Sequence, residues 1–135
     1  MENTIRLKNI WWAAPVAGLA AALANAVLFF IFEAMGAIPP DIIVPNAGQP
    51  ITVVPVMMAS FMPAIFAGIL LALLAAFTAK PVKIFLVITT VVLILSFYTP
   101  FTIPEAIMPM ILALNLMHIV AAVVIAWLLI RLSRR

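Results

Sequence analysis

A single histidine, His118, stands three residues after Asn115 in an otherwise apolar run, and a second asparagine, Asn25, interrupts an equally apolar run near the start of the chain. An imidazole and two carboxamides form hydrogen bonds without a fixed charge, so the set suits holding a polar group or a water in apolar surroundings. It does not suit harder chemistry. There is no cysteine, which removes thiol redox reactions and thiolate metal sites. One histidine per chain makes neither a metal cluster nor a pair of axial haem ligands. Ser60, Ser96 and Ser133 fall at other depths or on the other side from His118, so no nucleophile has a base beside it. The glycines Gly18, Gly36, Gly48 and Gly68 are too scattered for a phosphate-binding loop. Met57, Met58 and Met62 face Met108 and Met110 as adaptable apolar filling rather than as copper ligands, because no cysteine or second histidine assists them. We therefore expect a protein that is not an enzyme and needs no cofactor.

The elements that hold these side chains follow from composition. Of 135 residues, 68% are hydrophobic and 8% charged, and the mean hydropathy is +1.36. A water-soluble domain carries about 25% charged residues, so this chain lacks the polar surface to face water. A helix crosses a bilayer core of about 30 Å in roughly 20 apolar residues, and four stretches match: about 10–36, 54–79, 82–98 and 105–130. The third is rich in β-branched residues, yet a lone strand leaves its backbone unsatisfied in lipid, so helix is expected there too. The net charge of +3 comes from a chain almost bare of charge and gives no nucleic-acid-binding patch. The N-terminal apolar run is longer than the core of a signal peptide and is expected to be retained.

Charge placement gives an orientation. Arg6 and Lys8 precede the first span, Lys80 and Lys83 join the second and third, and Arg131, Arg134 and Arg135 follow the fourth. All seven basic residues lie on one side, and Glu33, Asp41 and Glu105 lie on the other. Cytoplasmic flanks collect Lys and Arg, so both termini are expected in the cytoplasm, with a bacterial inner membrane as the site. Trp11, Trp12 and Trp127 fall at the cytoplasmic ends as interfacial anchors, and Tyr98 falls at the outer end of the third span.

The connections are short except one. Between Ala37 and Val53 lie Pro39, Pro40, Pro45 and Pro50, and Asn46-Ala47-Gly48-Gln49 reads as a turn between two short apolar runs. This outer loop is either a short extended hairpin or an irregular closure of the bundle. The expected fold is a single all-α membrane domain, an antiparallel up-down bundle of four transmembrane helices with this Pro-rich outer loop.

Small and polar residues mark the faces that turn inward, because lipid supplies no hydrophobic drive between helices. The stripes are Ala14, Gly18, Ala21, Asn25, Phe29 and Phe32 in the first span, and Met57, Phe61, Ala64, Gly68, Ala72 and Ala75 in the second. The fourth offers Met108, Ile111, Asn115, His118 and Ala122. Counting depth at about 1.5 Å per residue puts His118 near the midplane, with Asn115 and Asn25 a step nearer the outside. Thr89 and Thr90 reach the same layer from the third span. The expected site is a polar node of Asn25, Asn115, His118 and Thr89 or Thr90, with His118 as a hydrogen-bonding group. Glu33 lies about two turns further out, in an acidic outer mouth with Glu105, Asp41, Ser60, Tyr98 and Thr99.

The run Asn115-Leu116-Met117-His118-Ile119-Val120-Ala121-Ala122, in the last of four spans, resembles a group of small uncharacterised bacterial four-helix membrane proteins. The resemblance implies the four-helix fold over nearly the whole chain and no activity. Small multidrug transporters are similar in length and helix count but carry a glutamate in the middle of the first span, where this chain has Glu33 near the end. Two functions follow from the residues. One is a binding or transport module whose inner cavity, roofed by the Pro-rich loop, accepts a small amphipathic or lipid-like ligand. The other is a structural or accessory subunit of a membrane complex, or a homo-oligomer, whose polar node only fixes helix register.

Overall fold

The structure, a computed structural model, describes residues 4–135. Four helices run through it: α1 (Leu7–Ala34), α2 (Val53–Phe77), α3 (Pro81–Ser96) and α4 (Met108–Ser133). A 3-10 turn at Thr99–Thr102 prolongs the third, and every one of the four is then long and apolar enough to cross a membrane. The protein is a multi-pass membrane protein of the expected four-helix architecture. Proline marks several of the starts: Pro81 and Pro109 sit in the first turns of α3 and α4, where a missing N–H costs no helical hydrogen bond. The fourth helix begins at Met108 rather than at Glu105, whose φ of +62° is left-handed and places it in the turn ahead of the helix.

The Pro-rich loop takes the extended form. Its strands β1 (Ile43–Val44) and β2 (Gln49–Pro50) pair antiparallel, with Ile43 opposite Pro50 and Val44 opposite Gln49. Gly48, at φ +64°, makes the reversal, and its N–H donates to the Val44 carbonyl at 2.9 Å. The loop is anchored by Ile38 and Ile51, which pack with Phe29 of α1, Val56 of α2 and Met117 of α4.

α1 is the centre of the bundle, packed along α2 on one side and α4 on the other. Its contact with α2 rests on two matched pairs of small residues, Ala14 and Gly18 against Ala64 and Gly68. A Cβ on Gly68 would lie 2.6 Å from that of Ala14, and one on Gly18 would lie 2.9 Å from Phe61 Cδ2 and 3.0 Å from Ala64 Cβ. The backbones approach this closely because those side chains are absent or minimal. The expected α1 stripe is buried from Ala14 through Phe29, and Ala13, Ala17 and Ala22 widen it for a second partner. In α2 the buried line is Val56, Ser60, Ala64, Gly68 and Leu71, so the expected stripe holds at Ala64 and Gly68 and shifts by one position toward the Pro-rich loop.

α3 differs. It contains neither glycine nor alanine, and bulky Val, Ile and Leu side chains hold it away from its neighbours. It buries only Phe85, which enters the cluster of Ile10, Ala17, Leu71 and Leu129 at the basic end of the bundle. Beyond Phe85 a cleft opens between α3 and the pair α2 and α4. At the same basic end the start of α1 and the residue before it dock on the end of α4: the Arg6 N–H donates to the Ser133 carbonyl at 2.9 Å, and the Asn9 side chain donates to the Arg135 carbonyl.

Candidate functional site

The expected polar node divides into two places. Asn25 is 3% exposed in the α1 stripe, where α2 and α4 both reach it. Its Nδ2 donates to Ser60 Oγ at 2.9 Å and to the Met117 carbonyl at 3.0 Å. A carbonyl can only accept, so the bond to Met117 fixes which way the amide points. Ser60 in turn donates to the Val56 carbonyl one turn back in α2, at 2.8 Å. One amide thus ties all three tightly packed helices together, and its Oδ1 stays buried without a protein partner.

Ser60 is the member that sequence reasoning placed elsewhere, in the outer mouth. It is buried, and it takes the role expected of Asn115 or His118 as the partner of Asn25. The signal was available: counted from the middle of each observed helix, Asn25 and Ser60 both lie about 7 Å toward the end that bears the Pro-rich loop. Asn115 belongs to the same layer, half-buried, and its Oδ1 is buried without a partner.

His118 faces the other way, into the cleft between α2, α3 and α4. Its Nδ1 lies 2.7 Å from the Leu114 carbonyl one turn earlier, an acceptor that requires the proton on Nδ1. That bond orients the ring, and in the neutral imidazole with its proton on Nδ1 the other nitrogen, Nε2, is an acceptor. The cleft measures about 530 Å³ and is almost wholly apolar, with Phe66 and Leu70 on α2, Val92 and Leu93 on α3, and Ile125 on α4. Thr89 lines it with His118, apart from Asn25 and Asn115. Pro63 also lines it, and because proline has no N–H it leaves the Ala59 carbonyl, on the same wall, without its helical donor. The cleft therefore offers acceptors set in a greasy wall.

Three expected features are not assembled here. Thr90 is exposed and spends its hydroxyl on the Leu86 carbonyl at 2.8 Å, on the opposite flank of α3. Glu33 is exposed at the end of α1 and lines neither cleft nor node, because eight residues of helix, about 12 Å, separate it from Asn25. The Pro-rich loop covers the α1, α2 and α4 end of the bundle and supplies no residue to the cleft wall. Among the described residues no group of three His, Cys, Asp or Glu side chains converges.

A family model described as a family of unknown function (DUF6069) matches residues 5–135. No curated protein and no solved structure matches the chain.

Proposed function

The chain belongs to that family of unknown function, and we propose that its role is to bind, or carry within the membrane, a small amphipathic or lipid-like molecule. The observation behind this reading is the cleft with His118 in its wall. Its apolar lining suits a hydrocarbon or ring body, and Nε2 of His118 suits a hydroxyl, amide or amine donor on the ligand. A site whose polar groups mainly accept hydrogen bonds favours ligands that donate them. The role is non-enzymatic in this proposal, with both termini in the cytoplasm of a bacterial cell as the one-sided placement of the seven basic residues directs.

Native mass spectrometry of the protein released from its own membranes tests this. Wild type should carry a reproducible adduct that His118→Phe, which fills the same space without an acceptor, loses while remaining folded. An adduct retained at equal occupancy by His118→Phe would remove His118 from the site.

A second reading, an accessory subunit of a membrane complex, draws on the Asn25 node. Asn25 spends its amide on Ser60 and Met117 within the bundle, as interhelical glue does. Bare protein in the same experiment, together with co-migration of wild type in a larger native complex, would favour that reading.

A further inference from the structure

We propose that the groove on the outer flank of α3, between α3 and α4, is a binding site for one anionic phospholipid, with the phosphate on the arginines at the end of α4. The groove has a volume of about 790 Å³ and ends at Arg131, Arg134 and Arg135. Two lines of α4 residues run up it from those arginines, Ala126 and Ala122 above Ile130, and Val123 above Trp127. Leu86, Thr90 and Leu93 of α3 form the facing wall.

Charge and dimension both select the occupant. A free acyl chain would find the walls but no use for three cations, and a soluble phosphate would find the cations but no use for the walls. From Arg134 to Ala122 the helix rises about 18 Å, slightly more than half of a bilayer core of about 30 Å. The groove thus spans one leaflet, with its cations at headgroup depth and its end near the midplane. The guanidinium of Arg131 lies over the Trp127 ring, 5.1 Å from its centre, which holds a cation at the interface where the tryptophan anchors. The backbone bearing the arginines is fixed as well, because Arg6 and Asn9 donate to the Ser133 and Arg135 carbonyls. Basic pockets between transmembrane helices bind anionic headgroups in this way.

The assignment does not rest on the His118 reading, although the two cavities share Thr89, Leu93 and Ala122 in their walls. The test uses purified protein in nanodiscs of equal phosphatidylglycerol and phosphatidylcholine, with retained lipid counted by native mass spectrometry. Wild type should retain phosphatidylglycerol selectively. Each arginine replaced in Arg131→Gln, Arg134→Gln and Arg135→Gln should lower that selectivity by about five-fold, the ratio equivalent to about 1 kcal/mol per basic residue at the surface. Thr90→Phe, an exposed position that narrows the groove, should lower retention with all three arginines in place, and His118→Ala should leave it unchanged. Excess inorganic phosphate should not displace the lipid. Equal retention of the two lipids by wild type, selectivity that survives loss of the three arginines, displacement by phosphate, or indifference to Thr90→Phe would each overturn the proposal. Loss of the lipid in His118→Ala would move it to the other cleft and overturn it too.

Discussion

Asn25 and Ser60 meet across the α1–α2 contact at 2.9 Å, and the same Asn25 amide reaches the Met117 carbonyl of α4 at 3.0 Å. The two residues are unequal. Ser60 keeps its bond to its own helix when Asn25 is lost, whereas nothing replaces Asn25 for α4. Asn25→Ala should therefore lower stability by about 1–2 kcal/mol, and Ser60→Ala by about 0.5 kcal/mol, since membrane interhelical hydrogen bonds average about 0.6 kcal/mol. Reversible unfolding in bicelles measures both, and a Ser60→Ala loss as large as that of Asn25→Ala would contradict the assignment.

The Ala14–Gly68 approach makes a sharper prediction. Gly68→Ala introduces a Cβ 2.6 Å from that of Ala14, so the two helices must part, at about 1–3 kcal/mol. Ala14→Gly in the same chain should recover most of that loss. A double variant no more stable than Gly68→Ala alone would show that the strain lies elsewhere.

The absence of native cysteine makes single-cysteine labelling clean. Thr89→Cys, in the cleft wall, should react with a membrane-permeant maleimide, while Ala64→Cys, between α1 and α2, should stay unreacted in folded protein. Equal labelling at the two positions would mean that the cleft is closed in the membrane.

Orientation is open to the same chemistry. Asn46→Cys, in the hairpin turn, should react with an impermeant maleimide in intact cells, and Ala79→Cys, beside the lysines, only after the membrane is opened. The reverse pattern would invert the proposed topology and with it the leaflet in which the α3–α4 groove meets lipid.

The fold was readable because each of its causes is local. Runs of apolar residues of spanning length make four helices in any bilayer, and the Ala14, Gly18, Ala21 and Asn25 series marks an inward face at helical spacing. The site was half readable. His118 and Thr89 do share a cleft, but Asn25 pairs with Ser60, which continues the Ala64 and Gly68 line by one turn and is missed by a stripe drawn through Phe61 and Met57 instead. His118 and Ala122 line the cleft against α3 rather than the contact with α1, and only the placement of α4 against its neighbours decides that. The stand-off of α3 was written in its lack of glycine and alanine, a negative feature that a search for stripes passes over. Glu33 looked available because charge near an apolar run invites a role, yet an exposed helix end gives it none within the cleft.

The central place of α1 has a consequence for how the protein is made. Synthesis delivers α2 soon after α1, so the Ala14, Gly18, Ala64 and Gly68 contact can close as a hairpin while the ribosome is still at work. The helix that covers the other face of α1 is the last to emerge. Until α4 arrives, Ala13 and Ala17 lie against lipid tails, and the Asn25 amide lacks the Met117 carbonyl it will hold. The newborn chain thus carries its most polar interior group half-satisfied through the insertion of two further helices, and its lifetime in that state is set by the speed of translation.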